Sequence, residues 1–383
     1  MFTIARAIRC VQAFIGCSCF LAAFAKAEPV GTNVPAPRLT SPIAKTNPIT
    51  DLMLIYDAGN GKVPWTADAF KPYVYREQNG HFDWLFDGFL FIDFLAPSGA
   101  RLCPITNNRN ANQQDWQELI NSYFQDGTSI AALEQLLQSL EAKGHRPIRK
   151  RQVVITLPTP IAGSSAKQIA PSTPWGNLGG KAIDFHHPGD RVTAEQWYID
   201  EVLKRWRAKN FKHLELAGFY WVFERAWREH LTPEISRYLH ANQSSLYWIP
   251  SWPQGRTDWT SYGFDFVYQQ PNYFFHRKPT PFSRLEEACR FAERCGTSME
   301  MEFNDSLFEK SEFLKYFDEY LDAYRQHHVW ETKPVAYYEG HGAFAKMAVT
   351  ENPAIRSRYQ ALTELVIERQ KKCDAGFTFS QTR

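Results

Sequence analysis

His213-Leu-Glu-Leu-Ala-Gly-Phe-Tyr-Trp-Val-Phe-Glu224 opens as an apolar, aromatic-rich run and ends on a single carboxylate. The run has the length and residue types of a buried strand. From Arg225-Ala-Trp-Arg-Glu onward the pattern reads as helix, so Glu224 stands where a strand hands over to a helix. Seven further runs of this kind recur, at residues 52–57, 88–93, 153–158, 246–252, 265–270, 298–303 and 335–340. Between most of them lie segments with helical spacing of apolar residues, clearest at 115–124, 129–143, 193–208, 233–241, 283–294, 311–327 and 353–371. Thr193-Ala-Glu-Gln has the form of a capping box and places one helix start at Thr193. The segments after the first and fifth strands are short, which makes those two units irregular. Eight strand–helix repeats predict an α/β fold of the (β/α)8 TIM-barrel type over residues 51–372, with residues 373–383 as a tail.

Ahead of the barrel, residues 1–27 have the form of a secretory signal peptide. Arg6 and Arg9 precede an apolar run from Cys10 to Phe24, and Ala25-Lys26-Ala27 offers a cleavage site near residue 27. Lipidation at Cys17 fits less well, because apolar sequence continues beyond it. Residues 28–50, rich in proline and small polar side chains, read as a linker. The expected location is therefore periplasmic or secreted, with no membrane span in the mature chain.

Cleavage would remove Arg6, Arg9 and Lys26 and no acidic residue, taking 43 basic side chains to 40 against 41 acidic ones. No basic field suited to a nucleic-acid backbone remains. Of seven cysteines, Cys103, Cys289, Cys295 and Cys373 would stay, at a spacing that matches no zinc motif. Cys289 and Cys295 read either as a disulfide across a helix end or as two separate buried thiols. The pair His186-His187, near Asp184 and Asp190, lacks metal-site spacing and reads as solvated loop. The Gly163-Ser-Ser and Gly179-Gly180 elements lack the context of a phosphate loop, and there is no Gly-x-Ser-x-Gly elbow. No metal and no cofactor are expected, and the chain reads as a monomer.

In a (β/α)8 barrel the reactive groups gather at the carboxyl ends of the strands. Those ends carry Asp57, Asp93, Glu224, Gln270, Asn272, Glu302, Asn304, Glu339 and His341, interleaved with Trp221, Trp252, Tyr273 and Tyr338. Aromatic faces stack on sugar rings while carboxylates and amides bind hydroxyls, so the expected partner is carbohydrate. Glycoside hydrolysis uses two carboxyl groups, one protonated and one ionised. Glu224, after the fourth strand, and Glu302, ending the seventh, lie across the barrel mouth from each other. They are the expected catalytic pair, with Glu224 as acid/base. Glu300 shares parity with Glu302, and its expected role is that of a buried, hydrogen-bonded barrel carboxylate. A carboxyl separation of about 5 Å would imply retention and about 6.5–9.5 Å inversion of configuration.

An acid after the fourth strand with a nucleophile on the seventh resembles the large clan of retaining (β/α)8 glycosidases. That clan usually places asparagine directly before its acid, where this chain has Phe223. A closer resemblance lies in Phe86-Asp-Gly-Phe-Leu-Phe91, Gly218-Phe-Tyr-Trp-Val-Phe-Glu224, Tyr268-Gln-Gln-Pro-Asn-Tyr273 and Met299-Glu-Met-Glu-Phe303. These segments resemble a bacterial family catalogued as domain of unknown function number four-eight-five-five, over about residues 50–370. The resemblance implies a barrel fold and carries no assigned activity. An exported glycoside hydrolase is the expectation. A carbohydrate-binding barrel without turnover is the alternative, and a polysaccharide lyase or deacetylase a further one.

Overall fold

A computed structural model describes residues 46–56, 65–104, 108–162, 174–224, 231–275 and 281–379. Its centre is a closed barrel of eight parallel strands. In chain order these are β1 (Asp51–Tyr56), β4 (Gly88–Ile92), β5 (Arg151–Leu157), β8 (Leu214–Trp221), β9 (Ser245–Trp248), β10 (Phe266–Gln269), β11 (Ser298–Glu302) and β12 (Val335–Tyr338). β1 pairs with β12 and closes the ring. β4, β5, β10, β11 and β12 are buried along their whole length, as strands covered on both faces must be. With helices outside the ring, this is the (β/α)8 TIM barrel that the repeats predict.

Two hairpins lie outside the ring and were not foreseen from the sequence. β2 (Tyr75–Gln78) and β3 (His81–Trp84) turn through Asn79 and Gly80, both at positive φ. β6 (Gly176–Leu178) and β7 (Lys181–Ile183) turn through Gly179 and Gly180, also both at positive φ. Two consecutive positive-φ residues make the turn that follows strand twist, which gives the Gly179-Gly180 pair a purely structural use.

The helices are α1 (Ala67–Val74), α2 (Gln113–Tyr123), α3 (Ser129–Ala142), α4 (Pro188–Lys209), α5 (Leu231–Ala241), α6 (Ser283–Cys295), α7 (Ser306–Glu309), α8 (Ser311–Gln326), α9 (Val329–Thr332), α10 (Ala343–Val349) and α11 (Pro353–Asp374). Among the described residues the first unit carries only the eight-residue α1, and after β9 there is a single 3-10 turn, Trp259–Tyr262, so both expected irregularities are present. The expected capping box at Thr193 is not formed. α4 already begins at Pro188, and the Thr193 hydroxyl donates to the Gly189 carbonyl at 2.9 Å, inside the helix. Proline at the first helical position needs no N–H partner, so the helix starts there instead. A capping box does form at α2, where Asn112 accepts from the Asp115 N–H at 3.0 Å and Asp115 accepts from the Asn112 N–H at 2.8 Å.

One apolar cluster joins the ring to its helices, from Ile49 to Ile367. The last residues of the expected linker belong to it. Ile49 is buried, its side chain occupying the space beside Gly88, and Asn47 donates to the Tyr268 hydroxyl at 2.8 Å. Part of the expected tail packs as well: Cys373 is buried, and Phe379 lies under the Arg369 guanidinium. Residues 1–45 lie outside the described residues. No helix among the described residues is long and apolar enough to cross a membrane. Cys289 and Cys295 form no disulfide.

Candidate active site

Strand register fixes which side chains enter the barrel. Leu54 pairs with Leu90 and Tyr56 with Ile92; Glu300 pairs with Ala336 and Glu302 with Tyr338. A shift between Val153 and Val154 makes Ala217 an extra residue in β8, after which Val154 faces Gly218 and Thr156 faces Tyr220. The bulge resets the alternation for the last half of β8, so that Tyr220 and not Trp221 points inward. Gly218 lets β8 approach β9: a Cβ there would lie 2.1 Å from the Ser245 carbonyl oxygen.

A narrow cavity of about 20 Å3 opens at the carboxyl end of the ring, room for about one water. Its apolar lining is Leu54, Ile92, Phe94 and Ile249, and its polar lining is Tyr56, Tyr220, Tyr338, Gln270, Glu224 and Glu300. One wall continues as stacked rings: His341 lies on Tyr56 at 5.4 Å between centroids, and Tyr338 meets Tyr56 edge-on at 5.7 Å. Thus two glutamates from opposite sides of the mouth, β8 and β11, share one cavity.

The two glutamates of β11 differ sharply in their surroundings. Glu302 is fully buried and clamped by donors: Gln270 Nε2 and the Tyr273 N–H each lie at 3.0 Å, and the Tyr320 hydroxyl also donates. Burial pushes its pKa up to about 7, against the pull of those donors and of Arg284. Glu300 is 2% exposed, and its Oε2 has no partner among the described residues. Burial raises its carboxyl well above the usual range, and the charges of Glu302 and Glu224 raise it further. Burial likewise raises Tyr56, Tyr220 and Tyr338, so these hydroxyls stay neutral donors.

The other expected site residues are distributed as follows. Gln270 is at the cavity, bridging its wall to Glu302. His341 is exposed at the rim, and Trp252 and Asn272 are half-buried, Asn272 donating to the Trp252 carbonyl at 3.3 Å. Trp221 is buried on the opposite face of β8 from Tyr220. Tyr273 is buried, and its hydroxyl donates to Glu319 at 2.6 Å, away from Gln270. Asp93 is fully buried and accepts from Tyr123 of α2 at 2.8 Å. Asn304 caps the next turn through the Ser306 N–H at 2.8 Å. Glu339 is buried with both oxygens on backbone N–H groups. Asp57 lies outside the described residues, as do residues 225–230 that follow Glu224. Glu300, expected to be a satisfied barrel carboxylate, instead lines the cavity with one oxygen unmatched. Tyr56 and Tyr220 were not singled out in the sequence. Strand alternation puts Tyr56 on the same face of β1 as Leu54, but no count finds Tyr220 without the bulge.

No group of histidine, cysteine and carboxylate side chains able to hold a metal exists among the described residues. The sequence profile of a family described as a domain of unknown function (DUF4855) matches residues 51–364. No curated protein matches the chain.

Proposed function

The chain belongs to the DUF4855 family, and from that premise and the paired glutamates of the mouth we propose that it is an exported glycoside hydrolase acting on a polysaccharide or glycan. The observation that carries the reading is the single cavity shared by Glu224 and Glu300 at the carboxyl end of the ring. Two carboxyl groups facing one small polar space are what cleavage of a glycosidic bond requires. The tyrosines around them supply neutral donors for sugar hydroxyls, and the His341–Tyr56 stack supplies a flat face at the rim. Export is supported by the Arg6/Arg9, apolar and Ala25-Lys26-Ala27 sequence. Mass spectrometry of protein from its own host should find a chain beginning near Glu28; an intact Met1 would refute export.

A glycan-binding barrel without turnover is the second reading, supported by the flat face of the His341–Tyr56 stack at the rim. One experiment separates the two. Purified mature protein is incubated with a broad glycan panel and reducing ends are counted over days. The hydrolase reading expects release by wild type and a loss of at least about 100-fold in Glu224→Gln with unchanged folding. Binding of a glycan without any release, equal in wild type and variant, would leave the binding reading in its place.

A further inference from the structure

The proton of the site has a definite address. On the hydrolase reading above, we infer that Glu300 is the carboxylic acid that protonates the leaving oxygen, that Glu302 is a positioning residue holding the proton on it, and that Glu224 is the ionised partner. The acid thus moves from Glu224, where the sequence puts it, to Glu300, and Glu302, expected as the second carboxylate, supports it.

The placement of donors decides the matter. Gln270 Nε2 and the Tyr273 N–H can only donate, and they reach different oxygens of Glu302, Oε1 and Oε2. Tyr320 adds a third donor on Oε2. A proton on either oxygen of Glu302 would compete with one of them. Nothing comparable faces Glu300, whose Oε2 is buried and unmatched, so an ionised Glu300 would be a buried charge without a donor there. The charges acting on Glu300 are those of Glu302, two residues along the same strand, and of Glu224 across the cavity, both of like sign. The neutral groups near it are Tyr56, Tyr220 and Tyr338 at the cavity, and Tyr320 and Tyr324 from α8. Two carboxyl groups on one face of one strand repel each other when both are ionised, and here the donors belong to the other member of the pair. Its raised pKa, caused first by burial, agrees. Glu300 also lines the cavity, so its carboxyl group is placed beside any substrate oxygen that enters there.

The bond changes then balance. The glycosidic C–O bond breaks with its electron pair on the leaving oxygen, which takes the proton of Glu300. The anomeric carbon gains an oxygen from water, whose proton passes to Glu224. Exchange with solvent returns a proton to Glu300 and removes one from Glu224.

Infrared difference spectroscopy tests the address without any substrate. At neutral pH, Glu300→Gln should lose one protonated-carboxyl band relative to wild type, while Glu302→Gln should keep it. Any other pattern overturns the assignment. Should Glu302→Gln fail to fold, Glu300→Gln alone decides, since glutamine copies the shape of a protonated glutamate and a band that survives there refutes the inference. Activity gives a second reading. Glu300→Gln should lose about 100- to 10,000-fold on unactivated glycans yet retain turnover of aryl glycosides whose leaving group needs no proton. Glu224→Gln should lose both; the reverse pattern restores the sequence assignment. A wild-type protein with no hydrolysis at all would sink the hydrolase reading and leave the infrared result standing.

Discussion

Glu339 has both carboxylate oxygens on the backbone, Oε1 accepting from Gly342 at 3.0 Å and Oε2 from Phe344 at 2.9 Å. Burial nevertheless pushes its pKa up to about 7, more than those two N–H groups pull it down. The folded chain therefore binds this proton more tightly than the unfolded one. The stability it contributes is complete below the ordinary glutamate range near 4.5 and is lost as pH rises through about 7. Urea unfolding should show wild type weakening between pH 4.5 and 7, and Glu339→Gln weakening less over that interval. An equal slope in both would mean Glu339 is not the group that titrates. At Gly218 the constraint is steric. A methyl group there meets the Ser245 backbone, which cannot turn aside as a side chain can. Gly218→Ala should cost at least about 1–3 kcal/mol in the same experiment.

Among the elements, α11 holds the amino-terminal end of the ring shut. Its Arg369 donates from Nε to Asp51 at 2.9 Å and from Nη2 to the carbonyls of Thr50 and Lys333, while Nη1 reaches the Trp330 carbonyl. Gln370 donates to the second Asp51 oxygen at 2.9 Å, and Asp374 meets Arg149, which also bonds Asp87. One helix thus serves β1, the segment before β12 and the start of β5. Arg369→Met would leave a buried carboxylate and several carbonyls short of donors, a change worth about 3–5 kcal/mol. Chemical denaturation should report that loss, while the infrared band of Glu300, at the far end of the barrel, should not move.

For the molecule as a whole, the boundary between leader and barrel lies earlier than composition suggests. Asn47, Ile49 and Thr50 are buried, and the Thr50 N–H donates to Asp87 at 3.1 Å. A chain trimmed to start at Asp51 should be less stable than one trimmed to Lys45, by at least the about 1.5–3 kcal/mol of burying Ile49 alone. Equal melting temperatures for the two would show that residues 46–50 contribute nothing.

Eight buried strands and their order along the chain were legible in the sequence, because burial on both faces leaves unbroken apolar runs such as Gly88–Ile92. So was the mouth, since a parallel ring puts every strand's carboxyl end on one side. The starts of helices were less so: Thr193 has the right neighbours for a cap, but Pro188 lies within reach and wins. Among candidate side chains, those on loops just past a strand, such as Glu339, Asn304 and Asp93, looked equivalent to Glu224 and are occupied instead by backbone N–H groups or by a helix tyrosine. Local sequence cannot tell these cases apart, because the competing donor comes from several residues away or from another element. The choice between Glu300 and Glu302 belongs wholly to tertiary structure. They share a strand and a parity, and only the approach of Tyr273, Gln270 and Tyr320 gives one of them three donors and leaves an oxygen of the other bare.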